Sequence, residues 1–151
     1  MFTGIIQAVA RISAIDDQPG LRSFTVAFPE GFCQDLAIGA SVSHEGVCLT
    51  VTELVDAQHA TFDVMQQSLN ITTLGQLQIG SPVNVERAAK DGAEIGGHPL
   101  SGHVDFTGTL VQVREFDNNY VMRIAVPEAF RKYVFAKGYI AINGASLTVA
   151  E

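Results

Sequence analysis

Sliding the chain along itself by 98 residues lays positions 1–53 over positions 99–151 without a gap, and ten of the 53 pairs are identical. Ordinary amino-acid usage would give about three or four. The matches cluster. FTVAFPEGF (24–32) falls on MRIAVPEAF (122–130), EGVCLTVTE (45–53) on NGASLTVAE (143–151), and Thr3-Gly4 on Ser101-Gly102. A period this long exceeds a solenoid repeat and indicates tandem copies of one domain. Copy one is read as residues 1–97 and copy two as 98–151, divided after the Gly-rich stretch AAKDGAEIGG (88–97).

The pattern inside copy one is that of strands. IIQAVARISAI (5–15), SFTVAF (23–28), SVSHEG (41–46), VCLTVTELV (47–55), ATFDVM (60–65) and PVNVER (82–87) are β-branched and apolar, and most alternate with polar residues. DDQPG (16–20), HEG (44–46) and VDAQ (55–58) supply turns. Helix is expected only over GFCQDL (31–36) and SLNITTLGQL (68–77). Six strands with so little helix predict a small closed antiparallel barrel. Copy two repeats the first four strands, so an all-β fold of two tandem barrels is expected, the second incomplete. Copy one is expected to be the stable unit.

Composition narrows the partners. With 9 Lys and Arg against 16 Asp and Glu, the net charge of −7 disfavours nucleic acid and anionic membranes. No run reaches the ~18 apolar residues of a membrane span, and MFTGIIQAVARIS has no basic region of a secretory signal. A cytoplasmic protein is expected. Cys33 and Cys48 form no C-x-x-C or disulfide framework.

GGHPLSGHVDFTG (96–108), at the opening of copy two, is the most unusual segment. His98 and His103 lack further ligands at metal-binding spacing, so no metal is expected. His103 reads either as an acid/base group or as a hydrogen-bonded loop histidine. It stands where copy one has Ile5, so one copy carries a titratable group and the other an apolar one. The motif Gly-x-x-Leu-Thr-Val occurs twice, with Cys48 in one copy and Ser146 in the other. On a strand Cys48 and Thr50 share a face, as do Ser146 and Thr148. Each pair suits a planar heterocycle that accepts and donates hydrogen bonds, although Cys48 alone also reads as an inert core thiol. Asp63, among Phe62, Val64 and Met65, either binds ligand hydroxyls or faces water.

MFTGII, GVCLTVTE, FDVM followed by TTLGQLQIGSPVNVERA, GGHPLSGHVDFTG and NGASLTV together resemble the riboflavin synthases over the whole chain. The resemblance implies two six-stranded Greek-key barrels per subunit, usually in a homotrimer, with lumazine synthase as a further partner. It implies a transferase without cofactor that dismutates two molecules of 6,7-dimethyl-8-ribityllumazine to riboflavin and a diaminopyrimidine. The protein would stack two like heterocycles and move protons.

Carried onto this sequence, the resemblance assigns one lumazine to Gly4, Ile5, Ile6, Cys48, Leu49, Thr50 and Asp63, Val64, Met65, Gln66, Gln67, Ser68. The second is assigned to Gly102, His103, Val104, Lys137, Ser146, Leu147 and Thr148. His103 is expected to transfer the proton, Cys48 to act as nucleophile or polar contact, and Phe2, Ser41, Ser146 and Thr148 to lie near the reacting rings. Asn143 stands where related sequences carry Asp, and copy two has no counterpart of Asp63–Ser68. Ligand binding through copy one with little or no turnover is therefore expected of these 151 residues. The alternatives are a non-catalytic lumazine- or flavin-binding protein and a β-barrel interaction domain.

Overall fold

The computed structural model describes residues 1–151. Six antiparallel strands of copy one close into a barrel: β1 (Ala8–Gln18), β2 (Leu21–Ala27), β3 (Ser41–His44), β4 (Val47–Leu54), β5 (His59–Met65) and β6 (Pro82–Arg87), in the order β1-β2-β5-β4-β3-β6. Alternation fills the barrel. Val47, Leu49 and Val51 of β4, Phe62 and Val64 of β5, and Val83 and Val85 of β6 are all buried, while Thr50, Asp63 and Met65 between them are exposed.

The chain enters β1 later than the sequence suggests. Residues 5–7 lie outside the strand, and Gly4, at φ +77°, turns the N-terminal segment away from the barrel. The first hairpin turn shrinks to Pro19-Gly20, with Gln18 already paired to Leu21. Over 31–36 no helix forms; residues 31–35 are turns, with Gly31 and Asp35 at positive φ. The second expected helix divides into α1 (Gln66–Ile71) and a 3₁₀ turn (Thr73–Gln76). Thr72 separates them. Its extended backbone (φ −121°, ψ 173°) breaks the helix while its hydroxyl donates to Ser68 O and accepts from Leu74 N.

Copy two forms two separate hairpins, β7 (Thr109–Phe116) with β8 (Asn119–Ala125), and β9 (Tyr139–Ile142) with β10 (Ala145–Thr148). Their registers are those of copy one displaced by 98. Ser41↔Thr50 and Ser43↔Cys48 become Tyr139↔Thr148 and Ala141↔Ser146. Even the bulge between Ile12 and Ala14 recurs between Leu110 and Gln112. The fold is thus all-β, with one closed barrel and an incomplete second. The core cluster of 16 residues runs from Ala10 to Val85 and lies wholly in copy one. Beyond Gly97 only His98, Gly102 and Gly144 are buried. No helix is long and apolar enough to cross a membrane.

The two copies meet about a pseudo-twofold axis. Phe2 and its own counterpart Leu100 exchange backbone hydrogen bonds of 2.9 and 3.0 Å. Gly46 and Gly144, at the tips of equivalent hairpins, are so close that a Cβ on either would lie 2.9 Å from the other's nitrogen. Such reciprocal contacts define an isologous interface, here inside one chain.

Candidate functional site

On the barrel's outer face, Cys48 and Thr50 of β4 stand beside Asp63 and Met65 of the neighbouring β5, because their sequence neighbours point inward. Ser41 lies across from Thr50, which adds a hydroxyl to this face, while Ser43 across from Cys48 is buried. Asp63 accepts a 2.5 Å hydrogen bond from Ser23 Oγ. Gln66 donates to Asn70 within α1 at 2.9 Å, and Gln67 and Ser68 follow it in the same helix.

The wall over this face comes from copy two. Gly102 O accepts from Cys48 N at 2.8 Å, and a Cβ on Gly102 would fall 2.5 Å from Cys48 Cβ. A side chain there would collide, so only glycine allows the approach. His103 follows, exposed, with its N–H donating to Ser101 Oγ at 3.1 Å. Val104 packs on the barrel core.

The second face mirrors the first. Ser146 N donates to Gly4 O at 2.8 Å, and Ile6 reaches Gly144. Lys137 N donates to Val149 O at 2.7 Å, next to Thr148. Lys137 holds φ +65° where copy one has Gly39 at +88°. By contact, Gly4 lies against Ser146 and Ile6 against Gly144, whereas Gly102 lies against Cys48. The reason is the pseudo-twofold axis, which lays each copy's opening segment against the other copy's fourth strand.

Three further placements refine the expectations. The side chains of Leu49 and Val64 point into the barrel core, so only their main chains face the groove. Leu147 is half-buried. Phe2 is 1% exposed and fills the seam between copies, its ring against Gly102. Cys48 is a free thiol, half-buried at the groove floor rather than in the core.

Sequence reasoning missed Glu86 and Tyr139 here, and weighed His98 only as a metal ligand. Glu86, buried on the outer face of β6, takes hydrogen bonds from Thr3 and Gly4. His98 Nδ1 lies 2.6 Å from Ser146 Oγ, its ring 4.3 Å from that of Tyr139, and burial holds its pKa below the ordinary histidine value. Tyr139, exposed opposite Thr148, takes the place of Ser41. The 98-residue shift would have flagged Tyr139 against Ser41, but no local pattern marks Glu86.

The sequence matches the family described as "Lumazine binding domain" over residues 3–88 and again over 101–151. Riboflavin synthase of Escherichia coli strain K12 is 45% identical over 152 residues, covering 100% of this chain and 71% of the relative. Crystal structures of LumP complexed with riboflavin (TM-score 0.91, 26% identity) and with 6,7-dimethyl-8-(1'-D-ribityl) lumazine (TM-score 0.88, 25% identity) superpose over 100% of this chain. They are covered to 81% and 80% of their own lengths.

Proposed function

The chain belongs to the lumazine-binding family, and from that premise we propose that its two crossed grooves receive two like pteridines, 6,7-dimethyl-8-ribityllumazine or the product riboflavin, for riboflavin-synthase chemistry. The observation that carries this reading is the reciprocal close approach of Gly102 to Cys48 and of Gly4 to Ser146. It builds two equivalent shelves, each with a small polar pair on a strand and backbone from the other copy. A duplicated shelf suits a reaction between two copies of one molecule. Relatives' names and ligands support the substrate class.

In the first groove, Thr50 and Ser41 offer hydroxyls to the heterocycle's polar edge and Asp63 accepts from ribityl hydroxyls. Met65, Gln66, Gln67 and Ser68 close its far end. Cys48 touches the ring, and His103, exposed beside Cys48's partner Gly102, moves the proton of the reacting methyl. In the second groove, Ser146, Thr148 and Lys137 take the equivalent roles. Stacking two rings in near-attack geometry supplies the rest of the rate enhancement. No cofactor is assigned.

The first groove has both flanks, β4 with β5–α1 and the Gly102–Val104 segment; the second has no element in the place of β5–α1. These 151 residues are proposed to bind one ligand tightly and turn over slowly, as a cytoplasmic protein assembling with copies of itself. Fluorescence titration with 6,7-dimethyl-8-ribityllumazine should give one strong site, and Thr50→Val should weaken it about tenfold through a lost ligand hydrogen bond. Unchanged affinity in Thr50→Val would remove the first groove from the proposal, and rapid riboflavin formation would refute slow turnover.

A further inference from the structure

We propose that Glu86 is the positioning residue of the second groove. Its buried carboxylate fixes the Thr3–Gly4 segment and, through that segment, sets Ser146. Glu86 is 2% exposed. Oε1 accepts from Thr3 N at 2.6 Å and from Thr3 Oγ1 at 2.6 Å, and Oε2 accepts from Gly4 N at 3.1 Å. All three donors lie more than 80 residues away in sequence. Two backbone N–H groups and a hydroxyl aimed at one carboxylate engage both of its oxygens and identify a built anchor rather than an incidental contact.

The anchored segment has two onward connections. Thr3 O accepts from His98 N at 3.0 Å, and Gly4 O accepts from Ser146 N at 2.8 Å. His98 Nδ1 then meets Ser146 Oγ at 2.6 Å. Ser146 is thus held at its main chain by Gly4, which Glu86 binds directly, and at its hydroxyl by His98, which hangs from Thr3. The space admits no slack: a Cβ on Gly97 would run into Thr3 O and lie 2.8 Å from Ser146 Cβ.

The mirror-related segment provides an internal control. Ser101–Gly102 repeats the local turn, with Ser101 Oγ accepting from His103 N as Thr3 Oγ1 accepts from Ile5 N. Gly102 O accepts from Cys48 N at 2.8 Å, as Gly4 O does from Ser146 N. The position 98 residues on from Glu86 lies past Glu151, so the Gly102–Cys48 contact serves here as the equivalent main-chain bond that Glu86 does not touch.

The experiment is amide hydrogen exchange on the unliganded 151-residue chain, comparing Ser146 N–H with Cys48 N–H. Glu86→Gln keeps the shape but turns an amide donor toward a donor. It should speed exchange at Ser146 about tenfold or more while leaving Cys48 within about twofold. Retained protection at Ser146, or an equal loss at both amides, overturns the proposal, the latter because Glu86 would then merely support the barrel. Should Glu86→Gln fail to fold, Thr3→Val deletes one donor to the carboxylate and should give the same selective change, smaller; an equal or absent change overturns it likewise. The role in ligand handling rests on the pteridine reading. Failure of the wild-type chain to bind any pteridine would sink that reading alone, since exchange is read without ligand.

Discussion

His44 shows how far one side chain can depart from its counterpart in a duplicated fold. Its imidazole is 2% exposed inside the barrel, 4.3 Å from the Phe62 ring centre and 6.0 Å from that of Phe28. Nδ1 lies 3.2 Å from Val42 O, and Nε2 has no partner. Burial pushes its pKa down from 6.5 to about 4. Between those values the unfolded chain binds more protons than the folded one, so stability falls as pH drops from about 6.5 to about 4 and levels off below that. The loss amounts to about 3 kcal/mol from this residue. Copy two has Ile142 at the matching register position. His44→Ile should therefore flatten the dependence of the urea midpoint on pH between 6.5 and 4; an unchanged slope would exclude His44 as its source. At the same scale, Asp63→Asn should weaken lumazine binding severalfold, because a carboxylate accepts from ribityl hydroxyls more strongly than an amide does. Equal affinity by fluorescence titration would place Asp63 outside the groove.

At the scale of elements, two hairpin tips determine how the copies dock. Glu45-Gly46 and Asn143-Gly144 both have positive φ at each central residue, the type I′ geometry that matches strand twist. Asn-Gly suits it directly. Glu45 is carried by its carboxylate, which accepts from Asn84 N at 2.6 Å, and Asn84 Nδ2 donates to Asn143 O at 3.0 Å. Burial raises the pKa of Glu45. Gly20 has a similar φ, +76°, with nothing within 4 Å of a built Cβ, whereas Gly46 faces Gly144 N at 2.9 Å. Gly20→Ala should cost about 1 kcal/mol from backbone strain alone. Gly46→Ala should cost clearly more in denaturant unfolding, and combining it with Gly144→Ala should be non-additive, since both relieve or crowd one contact. Equal costs at Gly20 and Gly46 would show that the tips do not bear on each other.

For the whole molecule, burial is unevenly divided. Leu110 and Met122 are 55% and 45% exposed where their counterparts Ile12 and Phe24 are 2% and 1% exposed. The hairpins of copy two reproduce copy one's pairing but bury little apolar surface, and burial is the dominant source of stability. Native-state hydrogen exchange should find the strongest protection in β1–β6 and weak protection in β7 and β8. Residues 1–97 alone should unfold cooperatively with a midpoint close to that of the full chain. Loss of cooperative folding in that piece would make copy two, through Val104 and the seam, a required part of the core.

The repeat, the six strands and the outward placement of Cys48 with Thr50 and of Ser146 with Thr148 were all legible in the chain itself. Alternation and a constant 98-residue offset are properties of order along a sequence, and strand faces follow from them. Order along the chain did not place Gly4 beside Ser146 or Gly102 beside Cys48, extended β1 too early and passed over Glu86. The first turns on how two copies pack, since the axis through Phe2 and Leu100 swaps the opening segments; the last is a contact inside copy one that joins Thr3 to Glu86 across 83 residues. Local order dictated the strands. Their contacts across the seam arose only when two folded surfaces met, because complementarity between distant surfaces leaves no periodic trace in either.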